Sequence, residues 1–265
     1  MAGVSKYFMI EITPTMKASV MHAGDGDNYA VGDVLFPINN RIQIPSGPAR
    51  LLGATALIRP KGDADPTPNN FAFDLIFSKE SLTQTGSKPF ASVGGGPSPF
   101  VLPTNDIVGS VKLVQEDHVG HAATSCTSVV TSGTTSSAVV LNRGPEPCTV
   151  VADRANGYDT YYVGAIANGA FDFSTLNRIN DEDIDTAAPD PANSLVADGT
   201  DMDLREHFLP GDVIHTHEDI AIGTVASIIN ATSMTFTENY AHEALEDDDF
   251  IYTPNPIRIK LFFEK

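Results

Sequence analysis

The chain has 265 residues, 42% hydrophobic and 19% charged, a composition that excludes wholesale disorder and leaves room for one large β domain or two smaller ones. Its 34 Asp and Glu against 16 Lys and Arg give a formal net charge of -18. Such a field repels phosphate backbones and anionic lipid, which excludes nucleic acid and membranes as direct partners. It either keeps an abundant surface protein soluble or complements a basic patch on an assembly partner.

No run of residues approaches the length of a membrane span, and no long apolar segment follows Lys6 near the start, so the expectation is a soluble chain without a secretory address. Two cysteines, Cys126 and Cys148, are too few for a disulfide scaffold and do not match a zinc motif. They read as small buried thiols or as one disulfide closing the loop between them.

Taken in order, Lys6 to Ile12 predicts a first strand with Phe8, Ile10 and Ile12 on one face and Glu11 opposite, stopped by Pro14. A turn cluster at Gly24 to Asn28 leads into a strand from Val31 to Phe36, and Arg41 to Ile44 is a short alternating strand. Leu51 to Ile58 opens another. Phe71 to Phe77 then sets Phe71, Phe73, Leu75 and Phe77 on one side, which calls for a second layer to pack against.

Residues 86–103, with three consecutive glycines at Gly94 to Gly96, have loop composition. Strand character resumes at Ile107 to Val114, then weakly at Ser128 to Val130 and Ala138 to Leu141. Gly144-Pro-Glu-Pro marks the expected domain boundary. Beyond it lie strands at Cys148 to Val151 and Tyr161 to Ile166, and a long acidic connection to Gly199.

Asp201 or Asp203 is placed to cap a helical turn from Leu204 to Phe208, and Asn239 to cap one from Tyr240 to Leu245. Between them, the block from Gly211 to Thr237 reads as three strands with tight connections, a small meander. The last strand, Ile257 to Glu264, alternates as cleanly as Phe71 to Phe77, with Ile257, Ile259, Leu261 and Phe263 inward. It needs a large sheet to pair with, and the N-terminal half offers one.

The stretch from Leu204 to Pro256 resembles a segment of virion structural proteins from tailed bacteriophages of marine cyanobacteria. The resemblance rests on Gly211 to Ile214, Gly223 to Ile228, the Thr-rich Ser233 to Thr237, the acidic turn Glu246 to Asp249, and the exit Asn255 to Ile257. It implies a virion component and leaves the position within the particle open.

Candidate sites compete with plainer readings. His215 and His217 share a strand face and present two imidazoles at a spacing that suits zinc, but no motif supplies a third ligand. His118 and His121 are spaced like half of a metal site. Asp25 and Asp27, and Glu246 to Asp249, offer oxygen ligands of the kind calcium takes, without the later bidentate Glu of a calcium loop. A solvated turn or a polar strand face is the preferred reading of each. Nucleophile elbows, zinc-protease helices and phosphate loops do not occur, and acidic residues are too plentiful to nominate a glycosidase pair.

The expectation is therefore an all-β, non-enzymatic protein with no cofactor, metal or catalytic residue assigned. A β-sandwich or jelly-roll-like main domain spans residues 1–144 plus 254–265, and residues 145–253 form a smaller inserted β module. Its expected role is a capsid decoration or cement protein, assembled in the host cytoplasm, that stabilises the head surface through contacts with the major capsid protein and other virion proteins as a trimer or dimer. A tail, baseplate or fibre component that adsorbs to the host is the alternative, and the absence of Trp disfavours a sugar-binding form of it.

Overall fold

A computed structural model describes residues 6–15, 31–59, 68, 70–79, 81, 107–121, 124–130, 140–141, 156–169, 192–196, 203–216, 221–240 and 251–265. The described chain is almost entirely β, arranged in three antiparallel sheets. The first sheet orders its strands as β1 (Tyr7–Ile12), β15 (Ile257–Glu264), β3 (Ala49–Ile58), β7 (Thr124–Val130) and β6 (His118–His121), with the short β8 (Val140–Leu141) also pairing β3. The second runs β2 (Val34–Pro45), β9 (Tyr158–Ala167), β4 (Phe73–Ser78) and β5 (Ile107–Leu113).

These two sheets sandwich one core. Leu51, Ala54, Ala56 and Ile58 of β3 and Ile257, Ile259, Leu261 and Phe263 of β15 face Ile42, Ile44, Phe73, Leu75, Phe77, Val163 and Ala165 from the opposite sheet. The alternation in β15 shows directly in its burial, with the four odd-numbered apolar residues fully enclosed. Because every second side chain of a strand points the same way, this one periodicity sets the strand's face and its place between layers.

β15 pairs β1 on one side, Tyr7 opposite Glu264, and β3 on the other, Ile257 opposite Ile58. The chain's last strand is thus an interior strand of the sheet that its first strand edges.

Four features depart from expectation. Val34 to Phe36 and Arg41 to Ile44, read in two separate strands, belong to the single twelve-residue β2, and Val31 to Asp33 form the turn that precedes it. Its register against β9 shifts between Phe36 and Asn40. The irregularity holds Pro37, which cannot donate to a ladder, and the Asn40 side-chain amide donates to the carbonyls of Pro37 (3.3 Å) and Val163 (3.2 Å) across it.

The expected boundary at residue 145 is also corrected: β9 lies within 145–253 yet runs between β2 and β4 at the heart of the sandwich. Its Tyr161, Val163, Ala165 and Ala167 are buried, and this demand for two neighbours is met only by the larger core. The separate module begins later.

That module is the third sheet, ordered β10 (Ala192–Val196), β13 (Ser233–Tyr240), β12 (Ala221–Ile228), β11 (Val213–Thr216) and β14 (Ile251–Tyr252). Strands β11, β12 and β13 pair consecutively as the anticipated meander. β10 falls in a stretch read as connection; only Leu195 of its described side chains is buried, so it carries little periodic signal. Asn239 and Tyr240, expected to start a helical turn, lie instead in β13. The module has its own core, Leu195, Leu204, Phe208, Ile214, Ile222, Val225, Met234, Phe236 and Ile251.

Among the described residues no helix is long and apolar enough to cross a membrane. Cys126 sits on β7 opposite Leu57 of β3 and Val119 of β6, while Cys148 and the strand expected at Cys148 to Val151 lie outside the described residues.

Candidate functional site

A concavity lies where the module meets the sandwich. It is built from one helical turn, one β-turn and the end of β3. The turn is α1 (Leu204–His207), capped as anticipated by Asp203, whose carboxylate accepts from the Arg205 backbone N–H at 2.9 Å. The same carboxylate pairs with the Arg205 guanidinium, whose hydrogen bond outweighs the raising effect of burial and holds the Asp203 carboxyl below its ordinary range. Leu204 and Phe208 point from this turn into the module core.

After α1 the chain reverses through Leu209 to Asp212. Gly211 adopts φ 95°, a left-handed conformation that glycine takes without steric cost, and the Asp212 carboxylate accepts from the Leu209 N–H at 2.7 Å. The turn is closed onto β12 by Gly211 N–H donating to Val225 C=O and Val225 N–H donating to Asp212 C=O, both at 2.8 Å. The Gly-Asp-Val pattern is therefore a turn-and-strand start in which Asp212 is held by both its main chain and its side chain.

Arg59 reaches this turn from the far side. Its Nη2 donates to Asp212 Oδ1 at 2.5 Å and its Nη1 to the His207 carbonyl at 2.9 Å. Both side chains are largely enclosed, at 18% and 14% exposure, so solvent screens the pair less than an exposed one. Arg59 N–H also donates to Pro256 C=O at 2.9 Å, continuing the β3 to β15 ladder. One arginine thus ties the sandwich sheet to the module.

Around this tie lies a cleft of about 470 Å³ that includes Leu57, Phe208, Thr253, Pro256 and Arg258 in its walls. Its cations are matched: Arg59 by Asp212, Arg205 by Asp203, and Arg258 by Glu11 at 3.3 Å. Asn255, in the cleft's wall, is tied to the chain just after β1 by donating to the Pro14 carbonyl at 3.0 Å. The chemistry on offer is charge-paired cohesion between two cores.

The sequence candidates are not brought together here. His215 lies on β11 with its ring tilted against Tyr252, centroids 5.7 Å apart; His217 lies outside the described residues. His118 starts β6 and its Nε2 is 2.6 Å from the Phe71 carbonyl, an anchor for the chain entering β4. His121 ends the same strand, opposite Thr124. Asp25, Asp27 and Glu246 to Asp249 fall outside the described residues. Among the described residues no group of three or more His, Cys, Asp or Glu is placed to hold a metal.

Sequence reasoning did not single out Arg59, His207 or Asp212. Asp212 stood inside a recognised turn, but nothing linear connects it to an arginine 153 residues away.

Comparison with known proteins adds no family. No family model matches the chain, and no curated protein matches it. Among solved structures, a quercetin 2,3-dioxygenase from Acinetobacter baumannii aligns at 11% identity over 98% of this chain and 79% of its own, with a TM-score of 0.12. A likeness at that level carries no argument about fold or activity.

Proposed function

We propose that this protein is a structural component of a tailed-phage virion and acts as a capsid decoration protein. The observation that carries this reading is the joint between two independently cored β units, built from matched ion pairs and enclosing no metal-ligand cluster among the described residues. It is a construction for holding surfaces, and the resemblance of Leu204 to Pro256 to cyanophage virion proteins supplies the setting.

The mechanism follows from mass action. A protein that binds the assembled shell but not its free subunits stabilises the shell by the free energy of that binding. Its net charge of -18 keeps it off the packaged DNA and speeds encounter with a basic capsid surface. The sandwich supplies rigid area, and the module extends from it to reach a neighbouring subunit.

The test is the copy number per purified particle of the encoding phage, measured by quantitative mass spectrometry against the major capsid protein. Decoration predicts a roughly constant ratio of order one, or a simple fraction of it, as symmetric shells require. A handful of copies per particle places the protein in the tail or baseplate, and the adsorption reading takes over.

A further inference from the structure

The outer edge of β1 is unlike the rest of the described surface. Tyr7 and Met9 are 56% and 51% exposed, and Phe262, directly opposite Met9 on β15, is 39% exposed. Single exposed apolar residues are ordinary, but three neighbouring ones on one face, two of them on the edge strand, mark a contact surface. Among the described strands none pairs with the outer side of β1.

The hydrogen-bond phase of that edge can be read. Lys265 N–H donates to Lys6 C=O at 2.8 Å, and these two residues are directly opposite by extension of the register. Since an antiparallel ladder alternates, Phe8, Ile10 and Ile12 direct their peptide groups at β15, while Met9 and Glu11 direct theirs outward. Arg59 N–H donating to Pro256 C=O gives β15 the matching phase on its other side.

From this we infer that β1 pairs with β1 of a second copy, antiparallel, with Met9 on the two-fold axis. Residues facing each other across an antiparallel pair share a face, which limits the axis to a residue rather than a peptide bond. Met9 is the choice that exchanges hydrogen bonds at the axis itself and overlaps the most of the strand. It sets Tyr7 opposite Glu11 of the second copy on the outer face, a hydroxyl against a carboxylate, and Phe8 opposite Ile10 on the inner one.

Phe8 and Ile10 are only partly buried where they pack on the sandwich core, so the pairing continues that core across the axis. Charge agrees. β1 carries Lys6 before it and Glu11 near its end, so an antiparallel partner keeps like charges apart, with Lys6 opposite Ile12 and Glu11 opposite Tyr7 of the second copy. Lys6, Arg50, Arg258 and Lys260 against Glu11 and Glu264 also make this region cationic in an otherwise acidic protein, so two copies meet here without the repulsion of their overall charge.

A single strand pair buries an area at or below about 1,200 Å², the size of reversible contacts. The inference does not depend on the virion reading. Its test is the mass of the full-length protein by sedimentation velocity over a roughly hundredfold dilution series. The wild-type chain is expected to pass from monomer to dimer. Met9→Pro removes an N–H that points away from β15, leaving the native ladder intact, and is expected to be monomeric with an unchanged circular dichroism spectrum. Met9→Lys, which sets two ammonium groups beside the axis, gives the same result should the proline variant fail to fold.

Oxidised Met9→Cys is expected to yield a peptide pair joined at position 9, because directly opposed residues of a hydrogen-bonded pair stand about 5.5 Å apart. A wild-type monomer throughout the series, a trimer, or a dimer that survives both Met9→Pro and Met9→Lys overturns the inference. None of these outcomes bears on copy number in a particle.

Discussion

Arg59 donates to Asp212 at 2.5 Å across 153 residues of chain, and the same guanidinium donates to the His207 carbonyl at 2.9 Å. The end of β3 in the sandwich is thereby held at one point to the α1 turn and to the Gly211 turn of the module. Replacing Arg59 by Met keeps much of the apolar stem but leaves the Asp212 carboxylate without this partner in a largely enclosed place. The expected cost is about 1–3 kcal/mol, read as a lower denaturation midpoint. Faster amide exchange in Leu204 to Val213 than in β3 would show that the joint is what loosened.

Of the described glycines, Gly164 leaves the least room for a side chain. A Cβ built there would sit 2.5 Å from Ile38 Cγ1 and 2.8 Å from the Ile38 backbone nitrogen. The first can rotate away, whereas the second cannot without moving β2. Gly164→Ala is expected to destabilise the protein by about 2–4 kcal/mol, measured by urea unfolding, and the double variant with Ile38→Ala is expected to recover only part of that loss.

The position of β9 makes the inserted segment separable at one place and not another. Excising residues 145–253 removes the strand between β2 and β4 and is expected to leave an unfolded chain. Replacing residues 170–250 with a flexible linker keeps β9 and the core residue Tyr252, and is expected to preserve a cooperative β-sheet unfolding transition by circular dichroism. Folding of the first deletion, or collapse of the second, would show that the two cores are not divided where the topology divides them.

His118 introduces a pH dependence. Burial pushes its imidazole below the ordinary value of 6.5, against the raising effects of its hydrogen bond to the Phe71 carbonyl and of Asp117. The folded state therefore binds a proton less readily than the unfolded one. The neutral form's contribution is complete above 6.5 and is lost as pH falls below that value toward the folded pKa. Denaturation midpoints taken from pH 7.5 down to 5.5 are expected to decline, and to decline less in His118→Gln, which keeps a side-chain donor for Phe71. An equal slope in both would remove His118 as the cause.

Much of the framework was legible because strand periodicity is a local property. Phe73, Leu75 and Phe77, and Ile257, Ile259, Leu261 and Phe263, announced their faces by alternation, and all are buried. The Gly211 turn and the Asp203 cap were visible because turn and cap chemistry act within a few residues. β9 was seen as a strand but assigned to the wrong unit, since its apolar residues do not say which core encloses them. β10, with Leu195 as its one described buried side chain, fell below what a period of two can signal. His118 read as half a metal site, where the fold gives it a backbone carbonyl to hold.

Spacing along the chain is enough to read the all-β class, the faces of the strongest strands, the meander from Val213 to Thr237 and the need of the last strand for a distant sheet. Tertiary structure alone decided that β15 lies between β1 and β3, that β9 belongs to the sandwich, and that Arg59 meets Asp212 and His207. Those outcomes depend on which surfaces meet once the chain has turned back on itself. A pairing between residues 153 apart in the chain is chosen by the shared burial of two cores and by the loss of water around one ion pair, and neither leaves a mark on the order of the residues.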